Sequence, residues 1–388
     1  MGIRIGVDAR VIPRYPGLGR HCLNILRELG KIDGENEYTI FAIDQSLSSL
    51  EQYPNFRVVY VGFPVLSAGT LFRFSPLIKK ERIELFYAPF QITPPRLPCP
   101  LVVTVHDMMD LLYPDAFSHH PFFTRHGLSA YFRFNVPRSV KNACMIIAVS
   151  KSTKRHILEY FKLSDEKVQV IYNGIESKFK PLTDRNLRDK VKHKYELPDR
   201  FILYLGSIKP YKNLTGALKA FLKLQQGWPE LRHVKLVIAG LKHFNIPAIQ
   251  KIMEETVIKD TVVRIGQVEE EDLPVLYNLA ELFLFPSIWE GFGFPPLEAM
   301  ACGTPVITSE RSSLPEVVGN AGILVDPENI DQIACECQRV LTEDNLKKQM
   351  IQKGLQQARK FRWHVSARKT LDVLEGVIRD SKINVKKP

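Results

Sequence analysis

A chain of 388 residues is too long for one ordinary domain and comfortable for two of similar size. Its 45% hydrophobic and 24% charged residues are ordinary globular composition, and no run approaches the roughly 18 apolar residues of a membrane span. The net charge of +11 is weighted toward residues 1–181, with 23 Lys and Arg against 16 Asp and Glu. A basic first half suits an anionic membrane, a phosphorylated acceptor or nucleic acid, or is a solubilising surface.

Short apolar runs and helical patterns alternate along the chain. "IRIGVDA" opens it as a strand, too short and too charged for a signal peptide. From Arg20 to Gly30 a helix comes next, with Cys22, Ile25, Leu26 and Leu29 at the i, i+3, i+4, i+7 spacing of one buried face. "YTIFAI", "RVVYVGF", "LFYAPF", "LVVTVHD", "CMIIAVS" and "VQVIYNG" complete the first set of strands. A polar, charged stretch near Lys180–Pro198 reads as the junction. The second set is "FILYLGS", "VKLVIAG", "VVRIGQV", "LFLFPS", "PVITS" and "GILV", with helical patterns at Leu214–Gln226, Asp272–Ala280, Leu297–Ala301, Ile330–Leu341 and Asn345–Lys360. Val- and Ile-rich strands alternating with helices predict two doubly wound α/β domains of Rossmann-like kind facing a cleft. The expected division is residues 1–182 plus a returning segment 364–388, and residues 183–363. The six cysteines are scattered, and Cys335 and Cys337 point apart on a helix, so reduced thiols in a cytoplasmic protein fit best.

Ligands of open parallel sheets sit beyond the carboxyl ends of the strands, which directs attention to the residues there. Gly17 and Gly19 lie between the first strand and first helix, where a backbone approaches a phosphate or sugar, or simply turns tightly. Asp44 after the second strand keeps an incomplete dinucleotide fingerprint alive. His106 ends the fifth strand as a cleft residue or a satisfied structural histidine. Gly206, Lys209 and Lys212 come after "LYL" and before a helix and suit a diphosphate, although solvated loop lysines look the same. In "EGFGFPPLE", helix onset near Pro295 leaves Glu290 on the loop and Glu298 inside the first turn. The helix dipole accounts for an acid at Glu298 but not at Glu290. The chain has no Asp-x-Asp and no metal-spaced ligand cluster. Phe117 to Lys141 mixes aromatics with Arg125, Arg133, Arg138 and Lys141, either a lipid-facing patch or core aromatics with solvated arginines.

These segments together resemble the retaining, nucleotide-sugar-dependent glycosyltransferases of family 4, which have the GT-B fold. The E-x7-E pattern of Glu290 and Glu298 with "AMACGTPVI" after it carries the likeness, supported by "LYLGSIKPYKN", "LPEVVGNAGILVDP", "PGLGRH", "VVTVHD", "IIAVSKSTK" and "VIYNGI". The resemblance implies a catalytic set of His106, Lys212 and Glu290. It implies that Glu298 holds the donor ribose and Glu290 the transferred sugar. Gly291, Phe292, Gly293 and Phe294 would present the loop to sugar and phosphate, with Lys212 neutralising the diphosphate beside Gly206, Ser207 and Lys209. Gly17 and Gly19 would border acceptor and phosphate, and the backbone of Ile265, Gly266 and Gln267 would meet the base. Many members carry Arg where this chain has Ser207, and Ser207 with the nearby Lys-Asn is similar to a bacterial mannosyltransferase-like branch. The resemblance further implies transfer of mannose from GDP-mannose, or of glucose or N-acetylglucosamine from a UDP-sugar, to a glycan or lipid-pyrophosphate acceptor in surface polysaccharide synthesis. No required metal or other cofactor and no nucleic-acid partner are expected, and the expected location is cytoplasmic, either free or peripheral at the inner membrane face. An epimerase, a nicotinamide-dependent dehydrogenase and an inactive homologue acting as a binding subunit are the rivals.

Overall fold

A computed structural model describes residues 2–12, 15–113, 122–207, 209–240, 247–254 and 260–385. The chain forms two compact units, Met1–Gly174 with Arg362–Pro388, and Ile175–Phe361.

The first unit holds seven strands: β1 (Arg4–Asp8), β2 (Glu37–Ala42), β3 (Phe56–Tyr60), β4 (Leu85–Ala88), β5 (Leu101–Val105), β6 (Met145–Ala148) and β7 (Val168–Val170). They pair in the order β3-β2-β1-β4-β5-β6-β7, every pair parallel. Ile5 of β1 sits between Tyr38 of β2 and Leu85 of β4 in register. Each residue of β4 and β5 is buried, as a parallel sheet covered on both faces demands. The helix Pro16–Ile32 buries Cys22, Ile25, Leu26 and Leu29, the face its periodicity predicted, and packs against the last helix, Trp363–Val385.

That first helix begins at Pro16, where the missing N–H costs nothing, rather than at Arg20. Gly17 and Gly19 therefore belong to its first turn and not to a loop. Gly19 is a packing glycine: a Cβ there would lie 2.5 Å from the Ile12 carbonyl oxygen, whereas one on Gly17 would meet nothing within 4 Å.

The second unit holds β8 (Phe201–Leu205), β9 (Lys235–Ala239), β10 (Val262–Gly266), β11 (Leu282–Phe285), β12 (Val306–Ser309) and β13 (Ile323–Val325). Their order is β10-β9-β8-β11-β12-β13, again all parallel. Leu214, Ala217, Leu218, Phe221 and Leu224 of helix Leu214–Gly227 enter one core with Ile333, Ala334, Cys337, Val340 and Leu341 of helix Ile330–Thr342. Cys335, two positions from Cys337, is exposed.

The units part at Gly174/Ile175 and Phe361/Arg362, so residues 175–182 go with the second unit and Arg362–Trp363 with the first. Hydrogen bonds account for the shift: Ile175 N donates to Phe361 O (3.1 Å), Leu182 N to Asn278 Oδ1 (2.8 Å), and Asn278 Nδ2 to Lys180 O (3.0 Å). The polar stretch read as a junction is mostly a helix, Arg185–Lys194, capped by Asp184 and anchored by buried Val191. No helix among the described residues is long and apolar enough to cross a membrane.

The two neighbouring glycines should respond oppositely to alanine. Gly19→Ala forces a backbone contact apart and should cost about 1–3 kcal/mol. Gly17→Ala should be neutral or stabilising by up to about 1 kcal/mol, since Ala is the better helix former. Thermal and urea unfolding of both variants measure this; equal destabilisation would contradict the packing role given to Gly19.

Candidate active site

In each sheet strand order reverses direction once, between β1 and β4 and between β8 and β11. Loops leaving the two strands at such a point diverge and open a crevice. In the second unit Lys212 lies after β8, and Glu290 after β11.

The segment after β8 is shaped by its neighbours. Gly206 N donates to Ala239 O (3.1 Å), and Gly240 N to Gly266 O (2.6 Å). Gly240 and Gly266 have φ of +90° and +69°, a region open to glycine, and a bulge between Arg264 and Gly266 interrupts β10 against β9 at Ile265. The Ile265–Gln267 backbone thus lies at the carboxyl end of an edge strand, two strands from Gly206. Ser207 comes directly after Gly206; Lys209 precedes a single 3₁₀ turn, Pro210–Lys212, its Nζ 5.8 Å from the Tyr211 ring centroid.

Asn213 ends that turn with φ +54° and caps helix Leu214–Gly227 by accepting from Gly216 N (3.0 Å). Its Nδ2 donates to Pro286 O (3.1 Å) and Pro327 O (2.7 Å), joining three loops. Tyr204 Oη donates to Lys212 O (3.0 Å), and Tyr211 O accepts from Ile288 N (2.7 Å) and Ser287 Oγ (3.0 Å). With its backbone fixed, Lys212 places Nζ 2.6 Å from Glu290 Oε1 and near the rings of Phe285 (5.2 Å) and Tyr211 (5.5 Å). Both charged side chains are largely buried, so aromatic faces and one carboxylate replace the water around the ammonium.

The loop from Glu290 to Gly293 has its carbonyls tied back. Glu290 O accepts from Ser312 Oγ (2.6 Å) and Ser313 Oγ (2.9 Å), and Phe292 O accepts from Ser313 Oγ (2.7 Å). Gly293 has φ +113°, and a Cβ on it would come within 2.9 Å of Leu314. Buried Phe292 packs edge-on to Phe294 and Phe361. The helix starts at Phe294, not Pro295, so Pro295 and Pro296 remove two of its first N–H groups. An anion here would meet loop amides more than helix amides.

Glu298 is the second correction. The earlier onset puts it beyond the first turn, so it is not a dipole-stabilised first-turn acid. It is 2% exposed and accepts a hydrogen bond from the Tyr277 phenol (2.9 Å). A carboxylate so enclosed needs hydrogen-bond donors, and the Tyr277 hydroxyl supplies one.

In the first unit His106 lies just after β5. Its Nε2 is 2.8 Å from Pro89 O, and its ring meets His21 edge-to-face with centroids 4.7 Å apart. Burial, with His21 beside it, lowers its pKa to about 3; burial takes His21 to about 4. His21 Nδ1 is 2.7 Å from Asn173 Oδ1, and Tyr87 Oη shares a 2.9 Å hydrogen bond with Thr104 Oγ1.

Of the predicted residues, Lys212 and Glu290 are brought into contact; Gly206, Gly291–Phe294 and Glu298 belong to the same unit, and His106 and the Gly17–Gly19 turn to the other. Tyr277, Ser312, Ser313 and Asn173 carried no sequence signal of their own; a Ser pair ahead of the Leu-Pro helix start was the nearest hint. Of the basic-aromatic stretch, residues 117–121 lie outside the described residues. Further along the helix Phe122–Asn142, Phe134 is 52% exposed with the Arg138 guanidinium 4.2 Å over its ring, while Phe132, Val136 and Val140 are core. Among the described residues no three His, Cys, Asp or Glu side chains are grouped as a metal site.

Comparison with known proteins gives this geometry its context. Residues 15–179 match the model "Glycosyltransferase Family 4" and residues 186–357 match "Glycosyl transferases group 1". The chain is 30% identical over 272 residues to the O-antigen chain mannosyltransferase B of Escherichia coli, covering 70% of this chain and 69% of that protein. It is 30% identical over 293 residues to the serotype-specific mannosyltransferase WbdA of Escherichia coli, across 74% of this chain but 34% of that longer protein. The fold matches that of Anabaena Alr3699/HepE, solved in complex with UDP and glucose, with a TM-score of 0.71 over 96% of this chain and 100% of the other at 18% identity. The paired parallel-sheet units, the crevice residues and these matches place the chain in the family-4, group-1 glycosyltransferases of GT-B fold, as a nucleotide-sugar-dependent glycosyltransferase.

Proposed function

We propose that the protein transfers a hexose, mannose from GDP-mannose, with retention at the anomeric carbon, to a glycan or lipid-pyrophosphate acceptor in surface polysaccharide synthesis. The observation that carries this is the contact between Lys212 and Glu290 at the β8/β11 crevice. A diphosphate entering there takes the ammonium from Glu290, and the released carboxylate turns to the sugar hydroxyls. Mannose is supported by the names of the O-antigen relatives.

Departure of the nucleoside diphosphate leaves positive charge on the anomeric carbon and negative charge on phosphate. The backbone of Lys212 and the Gly291–Phe294 loop are held before substrate arrives, so once the ammonium has exchanged Glu290 for the diphosphate the leaving group is stabilised with little further movement. In this reading Glu290, once released from Lys212, hydrogen-bonds the sugar hydroxyls and Glu298 stays with Tyr277, and neither carboxylate is given the role of nucleophile. The acceptor hydroxyl therefore attacks from the face the diphosphate leaves, and a phosphate oxygen takes its proton. Glu298 holds the ribose, the Ile265–Gln267 backbone the base, and Gly206, Ser207 and Lys209 flank the phosphates. His106 approaches the sugar, and the first-helix turn at Gly17–Gly19 borders the acceptor. Diphosphate charge is met by Lys212 and amides, with no metal required. Phe134 and Arg138 are where the first unit would touch an anionic bilayer at the cytoplasmic face.

Titration calorimetry with GDP, UDP and ADP, then turnover with the matching sugar donors, tests the donor. GDP should bind tightest and GDP-mannose turn over; turnover with a UDP-sugar alone would refute the mannose assignment. Lys212→Ala should lower kcat by about 100-fold or more, as loss of an oxyanion donor does. Near-normal transfer by that variant would remove it as the leaving-group cation. Tyr277→Phe should weaken nucleotide binding by about tenfold, the worth of one hydrogen bond to a charged group, with a smaller effect on kcat.

A further inference from the structure

His21, Asn173 and His106 come from the first helix, the segment after β7 and the segment after β5, and meet in a buried cluster. A carbonyl oxygen can only accept, so the 2.8 Å contact to Pro89 O puts the His106 proton on Nε2 and leaves Nδ1 as an acceptor. His21 is held by an amide, at 2.7 Å. Whichever way that amide faces, it supplies no negative charge to hold an imidazolium. An aspartate in its place would.

We propose that His21 and Asn173 are positioning residues that keep His106 a neutral imidazole with Nδ1 as acceptor, so that no cation stands beside the carbon where positive charge develops. This rests on the glycosyl-transfer reading and on the placing of His106 near the sugar. A T-shaped ring contact fixes the plane of His106, and the Pro89 bond fixes its tautomer. The remaining ring nitrogen then accepts from a hydroxyl of the donor sugar or acceptor. The titratable groups touching the pair from β4 and the first helix are held neutral, and the Asp8 carboxylate is paired with an arginine. Tyr87 from β4 and Cys22 on the first helix are pushed up by burial, and Asp8 beyond Cys22 is engaged by Arg10 at 2.8 Å. The Trp363 ring, 6.0 Å from His21, closes the other side without charge.

Asn173→Asp tests the proposal. A carboxylate at that distance favours the imidazolium form of His21. Transfer by the variant should fall in kcat, with little change in donor KM, by about tenfold at pH 6, and recover as pH rises through the raised His21 pKa. Wild type should lack this acid limb, and Asn173→Asp combined with His21→Gln should lose it. An Asn173→Asp pH profile parallel to wild type would overturn the proposal. If Asn173→Asp does not fold, nitrogen-15 histidine spectra of the wild-type protein decide: neutral His21 and His106, the latter protonated on Nε2, are expected at pH 6, and a charged ring or a proton on His106 Nδ1 refutes it. His106→Ala separates the two layers. Full transfer by His106→Ala strikes the placing of His106 itself, whereas its loss alongside a flat Asn173→Asp profile strikes only the positioning role.

Discussion

A parallel sheet that grows outward in both directions from a central pair must send the loops of that pair apart, and the second unit depends on this divergence at β8 and β11. The loop after β8 brings the cation and the loop after β11 the carboxylate, from positions 78 apart in sequence. Their ion pair is a contact between two separately anchored pieces of backbone. Asn213 and the Tyr204 phenol fix one; Ser312 and Ser313 fix the other. Two largely buried charges are costly to desolvate, and a pair in this setting contributes little net stability. In the proposed function its value is that both groups already stand where a diphosphate and a sugar would meet them.

The units handle charge in contrasting ways. Around Lys212 the site stores an ammonium against aromatic faces and an exchangeable carboxylate. Around His106 the chain buries two imidazoles with an amide and a backbone carbonyl, and burial keeps both rings neutral. In the proposed function the first kind of surface meets the departing anion, and the second keeps the sugar side free of added positive charge.

The architecture was largely legible because buried parallel strands are continuous apolar runs, and all thirteen stood out. The loop position of Glu290 was legible through its spacing from the helix, that of Glu298 within the helix only roughly, and Cys335 and Cys337 through helical geometry. The failures share a cause. Helix onset at Pro16 and at Phe294, the packing role of Gly19 against Ile12, and the helix hidden in the polar stretch 185–194 are set by contacts to distant chain or by caps that a periodicity count does not weigh. Tyr277, Ser313 and Asn173 matter through partners 21 to 152 positions away, so no local pattern announced them.

Asn213 shows what such economy restricts. One amide closes a helix and restrains two further loops while its backbone takes a left-handed turn directly after Lys212. Aspartate would lose both donors, glycine would release all three loops, and a longer amide would misplace them. Exchange on this loop is therefore constrained most at Asn213, the residue that gives it its shape. Sequence drift in this scaffold would have to work around it.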